Sequence, residues 1–457
     1  MTANITVRSA RIASAIAASA LGVAAISPAG ALANPAFRAP YASHARPVAH
    51  RSAASAQNAY TILHAFAGPD GAFAVGALDE AIAYSNGKFS TSAYGVTQTG
   101  GANNVGVVYN EQLQTGAFHV IHSFAAPEGA NPAAGLDNNA SDYLAAGSPQ
   151  IGTTQNGGAS GNGTLYIITA SGAVTVAHSF TGGADGANPT SRITAFTDGN
   201  YYGTTQNGGT KGFGTIFKYA PKTRAFTTIH EFTGGADGGN PAAGLSIRIV
   251  RSSSASAPAR KLTQPEFTKL ANSTVSVDKV LYGVTTVGGN GGGGTIYSVA
   301  PSGTFNTLYN FTNGADGSAP VAELTPDANG NLYGTASNGG SAGVGTVFVL
   351  APGNKFSVIQ DFYVDANGNE PAGATPLAPI TVAFNGALYG TASAGGANGF
   401  GEVFKIAGGT FTDIHDFTGA DGSSPQGKLL DGLDGNLYGT TFFGGPNGDG
   451  VLFKIAQ

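Results

Sequence analysis

Histidine recurs at one place in a repeated pattern, two residues before a phenylalanine that ends a β-branched or aromatic run. The five copies are His64, His122, His178, His230 and His415, and Tyr309 and Gln360 hold the same place in two further copies. Ligands of one metal ion must converge on it, whereas residues on the outer strands of separate repeats lie too far apart. We therefore predict that these histidines pack or hydrogen-bond within the fold. His119 is an additional histidine outside the pattern.

Two short motifs place oxygen donors at alternate positions, as a calcium loop does. They are Asp327–Asn331 and Asp365–Asn369. A calcium loop also needs a bidentate carboxylate further along the chain. Asp327 has no acid at that distance, and Glu370 follows the second motif too early for that role. We interpret both motifs as hairpin turns, and the repeated Asp-Gly pairs as turns in which glycine takes a positive φ.

The sequence contains no recognisable catalytic motif. There is no serine elbow, P-loop or His-Glu metal helix, and the absence of cysteine excludes thiolate chemistry and cysteine-ligated zinc. The 26 acidic residues are scattered, so convergence of paired carboxylates in three dimensions stays open. We therefore assign no catalytic, cofactor-binding or metal-binding residue from the sequence, and expect no cofactor.

The elements that position these residues come from one sequence unit that recurs seven times. Each copy has a Leu-Tyr-Gly-Thr-like segment, a glycine-rich stretch, a Gly-Thr-Val-Phe-like segment, and a run ending in Phe before an Asp-Gly turn and a proline. The anchoring glycines are Gly95, Gly152, Gly203, Gly283, Gly334, Gly390 and Gly439. The longest gap between them, from Gly203 to Gly283, indicates an insertion at about 246–279 in the fourth copy.

Each copy reads as four short strands, because apolar and β-branched residues alternate between Gly, Asn, Asp and Pro. Four-stranded units repeated every ~40–50 residues are typical of propeller blades. The last copy lacks its fourth strand, and the first begins with a fourth strand at Tyr60–Phe66. We predict an all-β fold, a single seven-bladed β-propeller of four-stranded antiparallel blades, closed by an N-terminal strand that completes the last blade. An open β-solenoid is the alternative.

Composition and the amino terminus indicate an exported protein. Arg8 and Arg11 precede an apolar stretch, and Ala31-Leu32-Ala33 fits a signal-peptidase site. We predict a signal peptide at 1–33, a flexible linker at 34–57 and the propeller at 58–457, with no membrane span after cleavage. A net charge of −5 and 10% charged residues argue against nucleic acid as a partner. A monomer is expected.

The repeated Leu-Tyr-Gly-Thr-Thr, Gly-x-Gly-Thr-Val-Phe and Asp-Gly-x-x-Pro elements resemble the tandem repeats of the GloVer-type family of bacterial exported proteins. The resemblance covers roughly residues 60–457. It implies a β-propeller-like fold and a location outside the cytoplasm, and it transfers no catalytic residue. Some members of that family end in surface-anchoring segments, whereas this sequence ends inside its last repeat with Phe453–Gln457.

These observations favour a non-catalytic binding or scaffold module for extracellular or cell-envelope ligands, either glycan or protein. Glycine-rich loops with Asp and Asn side chains on one face suit neutral polar ligands. The alternative is a propeller hydrolase or lyase that acts on extracellular polysaccharide, which needs acids or a histidine to converge at one end of the channel. A third interpretation is an adhesive module without a discrete ligand. The symmetry-breaking insertion, with charged residues from Arg248 to Lys279, is a further place where function is expected.

Overall fold

The computed structural model of the protein describes residues 59–85, 88–138, 149–251, 275–383 and 385–457. Within these residues every regular element is a β-strand, and the strands form seven antiparallel sheets. None of the described segments is a helix long and apolar enough to span a bilayer. The predicted signal peptide, at 1–33, and the predicted linker, at 34–57, lie outside the described residues.

The first strand, Tyr60–Ala65 (β1), belongs to the last sheet, and the remaining strands follow blade by blade. Blade 1 contains Ala72–Ser85 (β2), Lys88–Thr99 (β3), Val107–Gln112 (β4) and Ala117–Ser123 (β5). Blade 2 contains Ala130–Pro132 (β6), Asp137–Asn138 (β7), Gln150–Asn156 (β8), Thr164–Ile168 (β9) and Val174–Ser179 (β10). Blade 3 contains Thr194–Ala195 (β11), Tyr201–Thr205 (β12), Thr215–Ala220 (β13) and Ala225–Glu231 (β14). Blade 4 contains Ser246–Arg251 (β15), Val275–Thr285 (β16), Thr295–Val299 (β17) and Phe305–Asn310 (β18).

The last three blades have the same order. Blade 5 contains Thr325–Pro326 (β19), Leu332–Ala336 (β20), Thr346–Ala351 (β21) and Lys355–Asp361 (β22). Blade 6 contains Thr381–Val382 (β23), Leu388–Ala392 (β24), Glu402–Ala407 (β25) and Thr410–Asp416 (β26). Blade 7 contains Ser423–Pro425 (β27), Leu430–Asp431 (β28), Asn436–Phe443 (β29) and Val451–Ala456 (β30). We call the strands of each blade A to D from the axis outward; in blades 2 and 7 strand A is in two pieces.

Strand β1 closes the ring. It pairs antiparallel with β30, from Tyr60 opposite Ile455 to Ala65 opposite Val451, and so becomes strand D of blade 7. The prediction of a seven-bladed propeller completed by its N-terminal strand is therefore confirmed. Pairing of the two ends removes the exposed edge that an open array would present for aggregation.

The core lies between the blades. Seven apolar clusters of buried residues each join two neighbouring blades, and the cluster that contains Phe66, Tyr109 and Leu452 joins blade 7 to blade 1. A single four-stranded sheet cannot bury both of its faces, so each blade depends on both neighbours.

The glycine of each Leu-Tyr-Gly-Thr segment is explained by this packing. An aromatic side chain of strand C lies across the glycine of strand B in the same blade. A Cβ atom on Gly334 would stand 2.4 Å from the Phe348 ring, and one on Gly439 would stand 2.5 Å from the Phe453 ring. Because real Cβ contacts are longer, the position accepts only glycine without displacement of the ring.

The predicted insertion belongs to the hairpin between strands A and B of blade 4. Its ends form β15 and β16, which pair from Ser246 opposite Tyr282 to Arg251 opposite Val275. Residues 252–274 lie outside the described part of the chain. The described base of the insertion therefore lies on the face of the propeller opposite the loops that join strand D to the next strand A.

Candidate functional site

One position at or just before strand A, seven residues beyond the residue that precedes the turn glycine, breaks the repeat; that preceding residue is an acid in six blades and Ala372 in blade 6. From blade 1 to blade 7 it holds Ala77, Gly135, Arg192, Gly244, Glu323, Pro379 and Lys428. The residue that follows it is always a buried leucine or isoleucine within one of the seven blade interfaces. Because its neighbour packs into a blade interface, we infer that the variable position faces the propeller axis.

Contacts across the axis confirm this placement. The Nη2 atom of Arg192 in blade 3 lies 3.6 Å from Asp79 Oδ1 in blade 1 and 3.6 Å from Asp137 Oδ1 in blade 2. The Nζ atom of Lys428 in blade 7 donates a 3.1 Å hydrogen bond to Thr325 in blade 5. Blades 1 and 3 are not neighbours, and neither are blades 5 and 7, so these contacts cross the centre. We call Asp79, Asp137, Arg192, Glu323 and Lys428 the axial charge cluster.

Burial dominates the electrostatics of this cluster. It raises the pKa of Asp79 to about 7, although the Arg192 charge acts in the opposite direction. It also raises the pKa of Glu323 well above its usual range, against the charges of Lys428 and Arg192. Burial lowers the pKa of Lys428 to about 8, and the Glu323 charge opposes that shift. Desolvation disfavours the charged form of an acid and of a base alike, so both shift toward neutrality.

The axial charge cluster brings together the acids and bases that acid–base catalysis requires, but it lies inside the ring. Four of its members are buried, and the Asp137 side chain is 14% exposed. An apolar group formed by Ala77, Leu377, Ala378 and Val321 packs in the same central region. These side chains can exchange protons with one another, but a polymer reaches them only if the central packing opens.

The loops form a continuous face at the opposite end from the insertion. In every blade, a glycine N–H of the loop between strands B and C donates to a carbonyl of the loop that enters strand A. The seven bonds are Gly101 to Gly68, Gly158 to Ala126, Gly209 to Gly183, Gly289 to Gly235, Gly340 to Gly314, Gly396 to Glu370 and Gly445 to Gly419. Both loop types therefore lie on one face, which we call the loop face.

One residue with a positive φ joins each blade to the preceding one on this face. Its N–H donates to a carbonyl of the neighbouring loop, as Asn188 does to Asn162 and Asn240 does to Phe213. In blades 2 to 4 this residue is asparagine, which tolerates the left-handed region. The amides also bond to one another in an unbroken chain of side chains, Asn131, Asn156, Asn188, Asn207 and Asn240, with N···O distances of 3.1–3.3 Å.

Aromatic rings replace this amide chain where blade 7 meets blade 1. Phe73 occupies the positive-φ position with φ 59°, and its N–H donates to the Asp449 carbonyl. Its ring stacks on Phe442 at a centroid distance of 5.2 Å and meets the edge of Phe443 at 5.4 Å. Phe443 is 37% exposed. We call Phe73, Phe442 and Phe443 the seam aromatic cluster, because it lies where the two ends of the chain close the ring.

A bulky residue in the left-handed region is strained. The cost of a non-glycine residue there is of order 1–3 kcal/mol, and such residues concentrate at functional sites. Blades 2 to 4 avoid most of this cost with asparagine, whereas blade 1 places a phenylalanine there. Blades 5 to 7 hold Ala319, Thr375 and Ser424 at this position, so the three aromatic rings, more than the strain, distinguish the seam aromatic cluster as a candidate ligand surface.

The repeated histidines pack and hydrogen-bond within the fold, as predicted. The Nε2 atom of each histidine shares a hydrogen bond with a carboxylate oxygen of the acid in the following turn. The Nε2–Oδ2 distance is 2.9 Å from His64 to Asp70 and 3.0 Å from His178 to Asp185. Four of the five also stack on an aromatic ring of a neighbouring blade, as His178 does on Phe226 at 3.7 Å. A β-bulge in strand D precedes each of these positions and turns the side chain toward the next blade.

The two calcium-like motifs form turns. Asp327 Oδ1 accepts the backbone N–H groups of Asn329 and Asn331 at 2.8 and 2.9 Å. Asp365 makes the same pair of bonds with Asn367 and Asn369, also at 2.8 and 2.9 Å. Asp327 therefore satisfies the backbone of the hairpin between strands A and B of blade 5. Asp365 lies instead in the loop between strand D of blade 5 and strand A of blade 6, so the prediction of a hairpin turn is wrong for the second motif.

Arg248 and Asp278, in the described part of the insertion, are used internally. The Arg248 guanidinium lies 4.6 Å from the centre of the Tyr282 ring, and the Tyr282 hydroxyl donates to Asp278 at 2.6 Å. Of the other charged residues in the predicted insertion, four, Arg260, Lys261, Glu266 and Lys269, lie outside the described residues. Arg248 is buried, so it stabilises the hairpin base and offers no exposed charge.

Comparisons with solved structures give distant matches. An oligogalacturonate lyase from Vibrio parahaemolyticus is 9% identical, with a TM-score of 0.45 over 88% of this chain and 94% of that one. An oligogalacturonate lyase in complex with manganese is 10% identical, with a TM-score of 0.47 over 84% of this chain and 98% of that one. TolB from Acinetobacter baumannii is 13% identical, with a TM-score of 0.35 over 67% of this chain and 59% of that one, so the match spans less than two thirds of TolB.

A search of curated proteins finds no match. A profile of the Gloeobacter/Verrucomicrobia repeat, in contrast, matches residues 52–252 and 259–453. The two matched segments contain all seven blades, and the resemblance to GloVer-type repeats is thereby confirmed. The chain therefore belongs to the Gloeobacter/Verrucomicrobia repeat family.

Proposed function

We propose that this protein is an exported, non-catalytic propeller that binds a neutral saccharide on its loop face. The observation that carries the proposal is the seam aromatic cluster, which replaces the repeated amides at one place on an otherwise symmetric face. Phenylalanine rings bind the apolar side of a sugar ring by stacking. The export part of the proposal rests on the predicted signal peptide at 1–33.

The surroundings of the cluster suit a neutral ligand. Amide side chains follow the same face through blades 2 to 4, and amides both donate and accept hydrogen bonds, as sugar hydroxyls do. Only 10% of the residues are charged, so the chain offers little to a strongly charged partner. A neutral saccharide satisfies both the aromatic and the amide chemistry, and a peptide ligand is the competing outcome.

The proposal is tested on a glycan array with the purified chain 34–457. The Phe443→Asn variant carries the residue that blades 2 and 3 have at this place, Asn156 and Asn207. It should lose about tenfold in affinity for the saccharide that the parent binds best, which corresponds to about 1.4 kcal/mol. Leu433→Ala is the matched control, because Leu433 is also 37% exposed in blade 7 but lies on the turn between strands A and B.

Two results would refute the saccharide proposal. One is a parent chain that binds no glycan on the array while a peptide library yields a ligand. The other is a Phe443→Asn variant that binds the parent's saccharide with unchanged affinity.

The second candidate function is cleavage of an extracellular polysaccharide by the axial charge cluster. The convergence of Asp79, Asp137 and Glu323 with Arg192 and Lys428 favours it, since perturbed pKa values concentrate at catalytic sites. A polysaccharide cleavage screen decides between the two. Activity in the parent that disappears in Lys428→Met, with the thermal unfolding midpoint unchanged, would establish an enzyme in place of a binding module.

A further inference from the structure

Blade 6 contains three acids that converge at the loop end of strands C and D. One carboxylate oxygen from each of Glu402, Asp413 and Asp416 lies within 4.8 Å of the other two. Glu402 begins strand β25 and is paired with Asp416 at the end of β26, while Asp413 pairs with Phe404. We call these three residues the blade 6 carboxylate cluster; none of them belongs to the axial charge cluster or the seam aromatic cluster.

Two of the three acids are departures from the repeat. The first residue of strand C is valine or threonine in the other six blades: Val107, Thr164, Thr215, Thr295, Thr346 and Val451. The residues equivalent to Asp413 are Ile62, Val120, Val176, Thr228, Thr307 and Val358. A structural requirement of the blade therefore does not explain Glu402 or Asp413, because six blades fold without an acid at either place.

The buried oxygens of this cluster have no hydrogen-bond donor. Glu402 is 0% exposed, and neither of its carboxylate oxygens has a partner among the described residues. Asp413 Oδ1 is also buried without a partner there. A buried carboxylate without a donor is costly, of order several kcal/mol, unless it is protonated or bound by a cation. The charged groups that act on Glu402 are Asp413 and Asp416, which have the same sign.

The surroundings leave room for Glu402 and hold Asp416 in place. In three of the threonine-bearing blades the threonine hydroxyl bonds a second threonine on strand B, as Thr215 does with Thr205 at 2.9 Å. Blade 6 has Ala392 instead, and a Cβ atom on Gly373 would stand 2.9 Å from Glu402 Oε1. Asp416 Oδ1 accepts the Ala397 N–H at 2.6 Å. Asp413 and Asp416 are only partly buried, so an ion can enter past them.

We propose that the blade 6 carboxylate cluster binds one hard divalent cation, with Glu402, Asp413 and Asp416 as its protein ligands. Carboxylate oxygens without nitrogen or sulfur ligands select Ca²⁺, Mg²⁺ or Mn²⁺. Calcium–oxygen distances are about 2.3–2.6 Å, so oxygens that share an ion lie at most about 5 Å apart. The observed separations meet that limit. The ion supplies the positive charge that the described residues around Glu402 do not.

The test is a titration of the untagged, EDTA-treated chain 34–457 with Mn²⁺, with free Mn²⁺ measured by electron paramagnetic resonance. We expect one bound Mn²⁺ per chain, with a dissociation constant of order 10⁻⁴ M or lower. Competition with Ca²⁺ and with Mg²⁺ identifies which of these ions the site prefers.

Two variants that restore the repeat locate the site. Glu402→Thr and Asp413→Thr introduce residues that blades 3 and 4 carry at these places, and each should weaken Mn²⁺ binding at least about tenfold, equivalent to the loss of about 1.4 kcal/mol. Asp361→Asn is the matched control: Asp361 is the blade 5 equivalent of Asp416 and accepts a loop N–H in the same way. It should leave the affinity unchanged. Absence of saturable Mn²⁺ binding up to millimolar concentration, or equal affinity in the parent and both threonine variants, would overturn the proposal.

Discussion

At the scale of single residues, repetition separates structural side chains from candidate functional ones. The histidines that recur in strand D bond to the turn acids, and their repetition alone was enough to predict a packing role. Arg192, Glu323 and Lys428 could not be predicted in this way, because they share one position of the repeat but differ in residue type and lie in three different blades. Their proximity depends on ring closure, which brings residues far apart in sequence to one axis.

Asp79 gives the axial charge cluster a defined pH dependence. Burial raises its pKa from 3.8 to about 7, and the groups that act on it are Arg192, which lowers the pKa, and Asp137 and Glu80, which raise it. The folded state therefore binds a proton more tightly than the unfolded chain. The stability from this proton is fully present below about pH 4 and is lost as the pH rises through 7.

The Asp79→Asn variant tests this pH dependence, because asparagine keeps the shape of the side chain and does not ionise. Relative to the variant, the parent should lose on the order of a few kcal/mol in free energy of unfolding between pH 4 and pH 7. Urea unfolding at several pH values measures the difference. A difference that stays constant, or that grows in favour of the parent with rising pH, contradicts the raised pKa of Asp79.

At the scale of elements, the blade explains most of the recurring motif. The glycine of strand B accommodates the aromatic ring of strand C, the Asp-Gly pair forms the turn into strand A, and the residue before each histidine forms a bulge. Alternation and turn residues were sufficient to predict these strands, since each is specified by local sequence. The pairing of β15 with β16 at the base of the insertion was not predicted. The two strands are separated by residues 252–274, so no local turn motif indicates that they pair.

The stacked histidines should contribute measurably to the contact between blades. His178→Ala removes the stack on Phe226 and the bond to Asp185, and we expect it to lower the free energy of unfolding by about 2 kcal/mol. Chemical denaturation of the variant measures the loss. His119→Ala is the control, because His119 is exposed on the same type of strand. Equal stability of both variants would show that the histidine stack does not hold neighbouring blades together.

At the scale of the whole molecule, the two chain ends form both the last blade and the surface beside it. Strand β1 fills the outer edge of blade 7, and Phe66 is buried in the interface with blade 1. Closure follows from the sequence because the first and last copies are complementary fragments of one repeat. The seam aromatic cluster does not follow from it, since Phe73 lies far from Phe442 and Phe443 along the chain and meets them only after closure.

Deletion of residues 58–67 should open the ring. The truncated chain loses strand β1 and the buried Phe66, so we expect a loss of more than the ~3–5 kcal/mol that a single large-to-small core substitution costs. Thermal unfolding followed by circular dichroism measures it, and deletion within the predicted linker at 34–57 is the control. Addition of a synthetic peptide of residues 58–67 should restore part of the lost stability. A truncated chain as stable as the parent would contradict closure by β1.

The central claim, that the ligand binds on the loop face at the seam, is tested most directly by hydroxyl-radical footprinting. The chain is oxidised with and without the saccharide that binds best on the glycan array, and the oxidation of each side chain is measured by mass spectrometry. We predict that the ligand protects Phe443 and Phe73, while Leu433 on the other face and His119 on the outer strand react as before. Protection confined to residues outside the loop face, with Phe443 oxidised equally in both samples, would contradict the claim.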